Sequence, residues 1–84
     1  VLTSLQSLDL GYCQVTSAGL AHIRNLVALR DLNLSYCQHV SDAGLDLLKG
    51  LNSLRWLGVF GCDQVTDDGV EALKSAIPLV YVQR

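Results

Sequence analysis

Apolar positions along the chain fall into three nearly superimposable registers. A pair of leucines three apart (Leu2 and Leu5, Leu26 and Leu29, Leu51 and Leu54) is each time followed by an alternating pair: Leu8 and Leu10, Leu32 and Leu34, Leu57 and Val59. The change from spacing three to spacing two predicts a short strand with one buried face. A cysteine and a valine come next, Cys13 and Val15, Cys37 and Val40, Cys62 and Val65. Thr16, Ser41 and Thr66 then stand where a helix N-cap is expected, since a hydroxyl can accept an orphan backbone N–H. Spacing three returns in Leu20 and Ile23, Leu45 and Leu48, Val70 and Leu73, which marks one face of a helix. Arg24, Lys49 and Lys74 would close the last turns, where positive charge suits the helix dipole.

The period holds in independent columns. The cysteines are separated by 24 and 25 residues, Leu5, Leu29 and Leu54 by 24 and 25, and Gly19, Gly44 and Gly69 by 25 and 25. The extra residue enters a loop, where CQV becomes CQHV and then CDQV. A strand and a helix this short cannot bury both apolar faces within one repeat, so neighbours must stack into a continuous core. The expected fold is α/β, a solenoid of three strand-loop-helix repeats of 24–25 residues (about 2–25, 26–50 and 51–75) with a partial strand at 76–84, all in one domain spanning 1–84. Parallel strands would line its concave side and helices its convex side.

In the unfinished unit, Leu79 and Val82 take the columns of Leu54 and Leu57, and Arg84 falls where Val59 predicts an apolar residue. Either the last strand ends the array with a charge, or the chain has been cut. Val1 opens a repeat with no polar cap ahead of it, and solenoid ends normally carry one. The expectation is a fragment of a longer array, or a chain whose ends a partner covers.

Composition narrows the function. Half the 84 residues are apolar and 17% are charged, as in globular proteins. A net charge of -2 gives no basic face for nucleic acid. No apolar run approaches the roughly 20 residues that cross a bilayer, and the opening VLTSLQS lacks the layout of a signal peptide. Three cysteines, odd in number and with no C-x-x-C pair, suit neither a disulfide framework nor a zinc site. They point to an intracellular, reducing compartment, cytoplasm or nucleus.

The unit L-x-x-L-x-x-L-x-L-x-x-C-x-x-V-[ST]-D-x-G-L-x-x-L, as it stands in residues 26–48, resembles the cysteine-containing class of leucine-rich repeats, as in the repeat regions of F-box proteins. The resemblance covers nearly the whole chain. The first unit departs from it by one missing loop residue and by Ser17 where Asp42 and Asp67 stand. In this class the cysteine packs inward at the strand-to-loop turn, which implies slow alkylation of all three native thiols. The class also implies protein recognition, as in substrate receptors of ubiquitin ligases or structural subunits of large assemblies. Nothing in the chain resembles an F-box segment.

No catalytic, cofactor or metal site is expected. No nucleophile has a base in reach and no glycine-rich phosphate loop can be placed, and His22 and His39 share no ligand spacing with other donors. Asp42, Asp46, Asp63, Asp67, Asp68 and Glu71 read as a solvated face with favourable charge at helix starts. The strand positions that alternate away from the leucines are the informative ones: Gln6, Arg30, Arg55, Val80; Ser7, Asp31, Trp56, Tyr81; Asp9, Asn33, Gly58, Gln83. With Phe60 just beyond the strand, they gather Trp56, Tyr81 and Phe60 in one exposed region flanked by Arg30, Arg55 and Asp31. Aromatics and arginine dominate interface hot spots, so this patch is expected to bind a protein or peptide. The competing expectation is that Trp56 and Tyr81 only cover each other across adjacent strands, worth about 0.2–1 kcal/mol. Tyr12 and Tyr36, repeating just before the cysteines, read as loop packing.

Overall fold

A computed structural model describes residues 4–84; the expectations for Val1 and Leu2 lie outside the described residues. Four three-residue strands, β1 (Ser7–Asp9), β2 (Asp31–Asn33), β3 (Trp56–Gly58) and β4 (Tyr81–Gln83), form one parallel sheet in chain order. The register aligns Leu8, Leu32, Leu57 and Val82 in one row. Leu32 and Leu57 are fully buried, and Leu8 and Val82, on the two edge strands, are half-buried. This row packs with Leu20 and Ile23, Leu45 and Leu48, Val70 and Leu73 in a single core. The helical segments therefore cover one face of the sheet and leave the other open.

The helical segments are a 3-10 helix at Ala18–His22 and α1 (Asp42–Asp46), of 5 residues each, and α2 (Asp67–Ala76), of 10 residues. Thr66 is the N-cap expected of it, its hydroxyl accepting the Gly69 N–H at 3.3 Å; the Thr16 hydroxyl accepts the Gly19 N–H at 3.1 Å, but Ser17, which makes no capping bond, stands at the N-cap of the 3-10 helix. Ser41, at the N-cap of α1, makes no capping bond either, its hydroxyl lying 3.2 Å from that of Ser17 instead. Only Lys74 closes a last turn; Arg24 and Lys49 lie beyond the helix ends, and Lys49 pairs with Asp46 at 2.7 Å. The longest segment is the one that begins with two aspartates, carries a lysine in its last turn and has no second glycine soon after, all of which favour helix.

Two columns tie each unit to the one before it. The Cys37 thiol donates to the Leu10 carbonyl at 3.0 Å and the Cys62 thiol to the Leu34 carbonyl at 2.9 Å. Both are buried, and burial pushes both thiols above their ordinary pKa. Cys13 corrects the expectation of three inward cysteines. It is exposed, because the accepting carbonyl belongs to the preceding unit and the described residues supply none ahead of it.

The second column runs through the helix starts. The Ser17 hydroxyl accepts the Ser41 N–H at 3.1 Å, and the Asp42 carboxylate accepts the Thr66 N–H and hydroxyl at 2.9 and 2.5 Å. Asp42 is thus a tie between units as well as a helix-start charge. Asp67, next in the column, pairs with Arg84, whose guanidinium also donates to the Val65 carbonyl at 3.0 Å. The glycine column follows from these ties. A Cβ on Gly69 would stand 2.0 Å from Asp42 Oδ1, and one on Gly44 would stand 2.9 Å from both Leu20 Cδ1 and Ser17 Oγ.

The approaches to β2 and β3 are bulged. The N–H groups of Arg30 and Asp31 share the Gln6 carbonyl, and those of Arg55 and Trp56 share the Arg30 carbonyl, all at 2.8–3.0 Å. The extra residue lets both members of each pair face away from the core. β4 lacks it: Tyr81 alone bonds the Arg55 carbonyl, while the Val80 N–H turns back to Ile77, as that of Leu54 does to Leu51. Val80 therefore takes the buried place of Leu54, and Leu79 is 70% exposed. The expected assignment of Leu79 to the core and Val80 to the open face is reversed, because one residue is missing between the last apolar anchor and the strand.

Candidate functional site on the open strand face

On the open face, Asp9 and Asn33 form a polar ladder. Asn33 Nδ2 donates to Asp9 Oδ1 at 3.1 Å. Each side-chain oxygen also accepts the backbone N–H two residues on, Gly11 at 2.9 Å and Ser35 at 3.0 Å. These local turns end the strands. The next rung is Gly58, which has no side chain to continue the ladder. The Trp56 indole takes the vacated space: a Cβ on Gly58 would lie 2.5 Å from its Cη2 and 2.9 Å from Asn33 Oδ1. Trp56 is half-buried as a result.

Beside the indole lies a hollow of about 420 Å³ lined by Ser7, Leu8, Asp9, Asp31, Asn33 and Trp56. The register sets Ser7, Asp31, Trp56 and Tyr81 in one row across the sheet, and the Ser7 hydroxyl donates to Asp31 Oδ2 at 3.2 Å. Of the residues singled out from sequence, Trp56 and Asp31 meet at this hollow. Tyr81 stands beside Trp56 in the row but on the side away from the hollow, 63% exposed. Arg55 lies just ahead of β3, its guanidinium donating to the Asn52 and Leu54 carbonyls at 2.9 and 3.1 Å. Arg30 is exposed at its bulge and does not line the hollow.

Phe60 finds its aromatic partners elsewhere. Its ring meets Tyr36 edge-on with centroids 5.4 Å apart, and Tyr36 stacks on Tyr12 at 4.6 Å. These rings form a second aromatic group just beyond the strand ends. Tyr12 and Tyr36 have positive φ, 62° and 63°, a conformation uncommon for residues other than glycine. Gly61 takes it in the third unit at 77°, and a Cβ there would strike the Tyr36 ring at 2.6 Å. The tyrosines thus pack at the loop as expected, and Phe60 packs with them.

Ser7, Asp9 and Asn33 belong to the outward columns of the sequence but nothing there distinguishes them, because each is an ordinary polar residue on a solvated face. One signal could have found them: Gly58 interrupts their column two residues after the chain's single tryptophan.

The family model described as a leucine-rich repeat matches residues 1–23, 28–49 and 50–74. The chain belongs to the leucine-rich repeat family. Comparison with curated proteins gives no match. Leucine-rich repeats generally mediate protein–protein interaction and are typically non-enzymatic, so the family suggests protein partners. No helix among the described residues is long and apolar enough to cross a membrane.

Proposed function

We propose that this leucine-rich repeat chain is a non-catalytic interaction module that binds a protein or peptide on the open strand face, with Trp56 as its anchor. The observation that carries the reading is the hollow itself: the only tryptophan of the chain lies over a glycine and forms one wall of a space large enough for a side chain. Anchors of this kind, aromatic and backed by packed structure, contribute most to interface affinity. The paired columns support the cysteine-containing class and a solenoid stack, since each buried thiol donates to the unit before it. An S–H donor is lost on oxidation, so these bonds also favour a reducing, intracellular setting.

A peptide-display selection against the chain tests the proposal. Selected peptides should change the emission of Trp56, and Trp56→Ala should weaken them by about 2 kcal/mol, roughly 30-fold, with circular dichroism unchanged. Peptides that bind Trp56→Ala as tightly as the native chain would place the site elsewhere.

A further inference from the structure

We infer that the hollow beside Trp56 recognises a cationic side chain, in particular an arginine of the bound protein or peptide. This rests on the strand face being the binding surface and adds the chemistry of its ligand. Two carboxylates, Asp9 and Asp31, line the hollow from adjacent strands, and no lysine or arginine lines it with them. Neither aspartate has an ion-pair partner among the described residues, where the ion pairs are Lys49–Asp46 and Arg84–Asp67.

Each carboxylate is oriented through one oxygen. Asp9 Oδ1 takes Gly11 N–H and Asn33 Nδ2, and Asp31 Oδ2 takes the Ser7 hydroxyl. Asp9 Oδ2 and Asp31 Oδ1 accept no hydrogen bond among the described residues. The site therefore presents two held carboxylates with acceptor capacity to spare, beside an indole. An anionic ligand is repelled by this arrangement, and an apolar one would strip water from two charges without replacing it. A guanidinium satisfies every part: it is planar, stacks on aromatic faces, and offers five donors in a fork that matches carboxylates.

The test uses the native chain and blocked pentapeptides, acetyl-Gly-Gly-Arg-Gly-Gly-amide and the same peptide with citrulline, which keeps the shape and loses the charge. Titration followed by Trp56 emission should saturate in the millimolar range for the arginine peptide, with citrulline at least about tenfold weaker. Asp31→Asn should weaken the arginine peptide about tenfold, Asp31→Glu should weaken it less, and added salt should weaken it on the native chain. Equal response to the arginine and citrulline peptides, or no response to either, would overturn the inference. The display selection separates the two ideas: peptides that depend on Trp56 but carry no excess of arginine sink this assignment and leave the binding face standing, whereas peptides indifferent to Trp56 sink the face.

Discussion

The helix starts and the open strand face are built from the same repeat and treat it in opposite ways. At the helix starts a column keeps its job from unit to unit: Ser17 holds Ser41 as Asp42 holds Thr66, and Gly44 and Gly69 leave room for those same side chains. On the strand face the columns break, Asp31 giving way to Trp56 and Asn33 to Gly58. The difference separates two demands on a repeated chain. A residue that joins one unit to the next must recur wherever a junction recurs. A residue that meets a partner has no reason to, so the break in a column is the better guide to the ligand.

The largest effect should come from disturbing a junction. Gly69→Ala places a Cβ 2.0 Å from Asp42 Oδ1, the oxygen that accepts the Thr66 N–H. Alanine is preferred to glycine within a helix by about 1 kcal/mol, but Asp42 must swing away and give up two hydrogen bonds to a charged acceptor. The net expectation is a loss of about 2 kcal/mol in urea unfolding. Gly50→Ala, with nothing within 4 Å of its Cβ, should stay within about 0.5 kcal/mol of the native chain. Equal stability of the two variants would mean that the glycine column only marks the period.

Much of the fold could be read from spacing alone, because a period carried by leucine, cysteine and glycine together leaves little freedom in how units stack. The strand positions and the buried apolar row followed directly. Three features escaped for physical reasons. Cys13 shares the sequence context of Cys37 and Cys62, yet its burial depends on a carbonyl from the unit ahead, which no local pattern reports. Val80 and Leu79 exchange places because a bulge residue is missing, and a fixed period of 25 has no means of counting it. Phe60 was grouped with Trp56 because both lie near β3, whereas the left-handed residues Tyr12 and Tyr36 bring a column of rings toward it from the neighbouring units. Of the candidate site, Trp56 and Asp31 stood out in the outward columns and the hollow they share did not: Ser7, Asp9 and Asn33 line it with them only because the glycine two residues past Trp56 lets the indole lie down beside them.

A smaller effect, but one with a signature in pH, should follow from Asp42→Asn. Hydrogen bonds from the Thr66 hydroxyl and then its N–H hold the Asp42 carboxyl below its ordinary pKa. A native pKa below the unfolded one means that the contribution is complete above the ordinary carboxylate range, about pH 4, and is lost as pH falls through the depressed native value. The native chain should exceed Asp42→Asn by about 1 kcal/mol at pH 6, a modest figure because the pair is exposed to solvent. The gap should narrow below about pH 4 as the native carboxyl protonates. A gap that stays constant from pH 6 to pH 3 would show that Asp42 contributes nothing as a charged acceptor.

The smallest effect on stability should come from the strand face, and there it is the function that should change. In Gly58→Ala the new Cβ meets the tip of the Trp56 indole at 2.5 Å. This neighbour is the far end of a side chain facing open space, free to swing off the strand where Asp42 is held by Thr66. Asn33 Oδ1, at 2.9 Å, must also give by a few tenths of an ångström. Alanine loses less backbone entropy than glycine on folding, so the net change in unfolding free energy should stay below about 1 kcal/mol. The emission of Trp56 should nevertheless shift, because the ring leaves its half-buried seat, and selected peptides should weaken nearly as much as in Trp56→Ala. The two alanine substitutions then part cleanly: Gly69→Ala unfolds the chain more easily, and Gly58→Ala empties the site of its wall while the fold stands. A Gly58→Ala variant that keeps both the native emission and the peptide affinity would show that the indole does not need its glycine, and the hollow beside it would lose its claim to be the binding site.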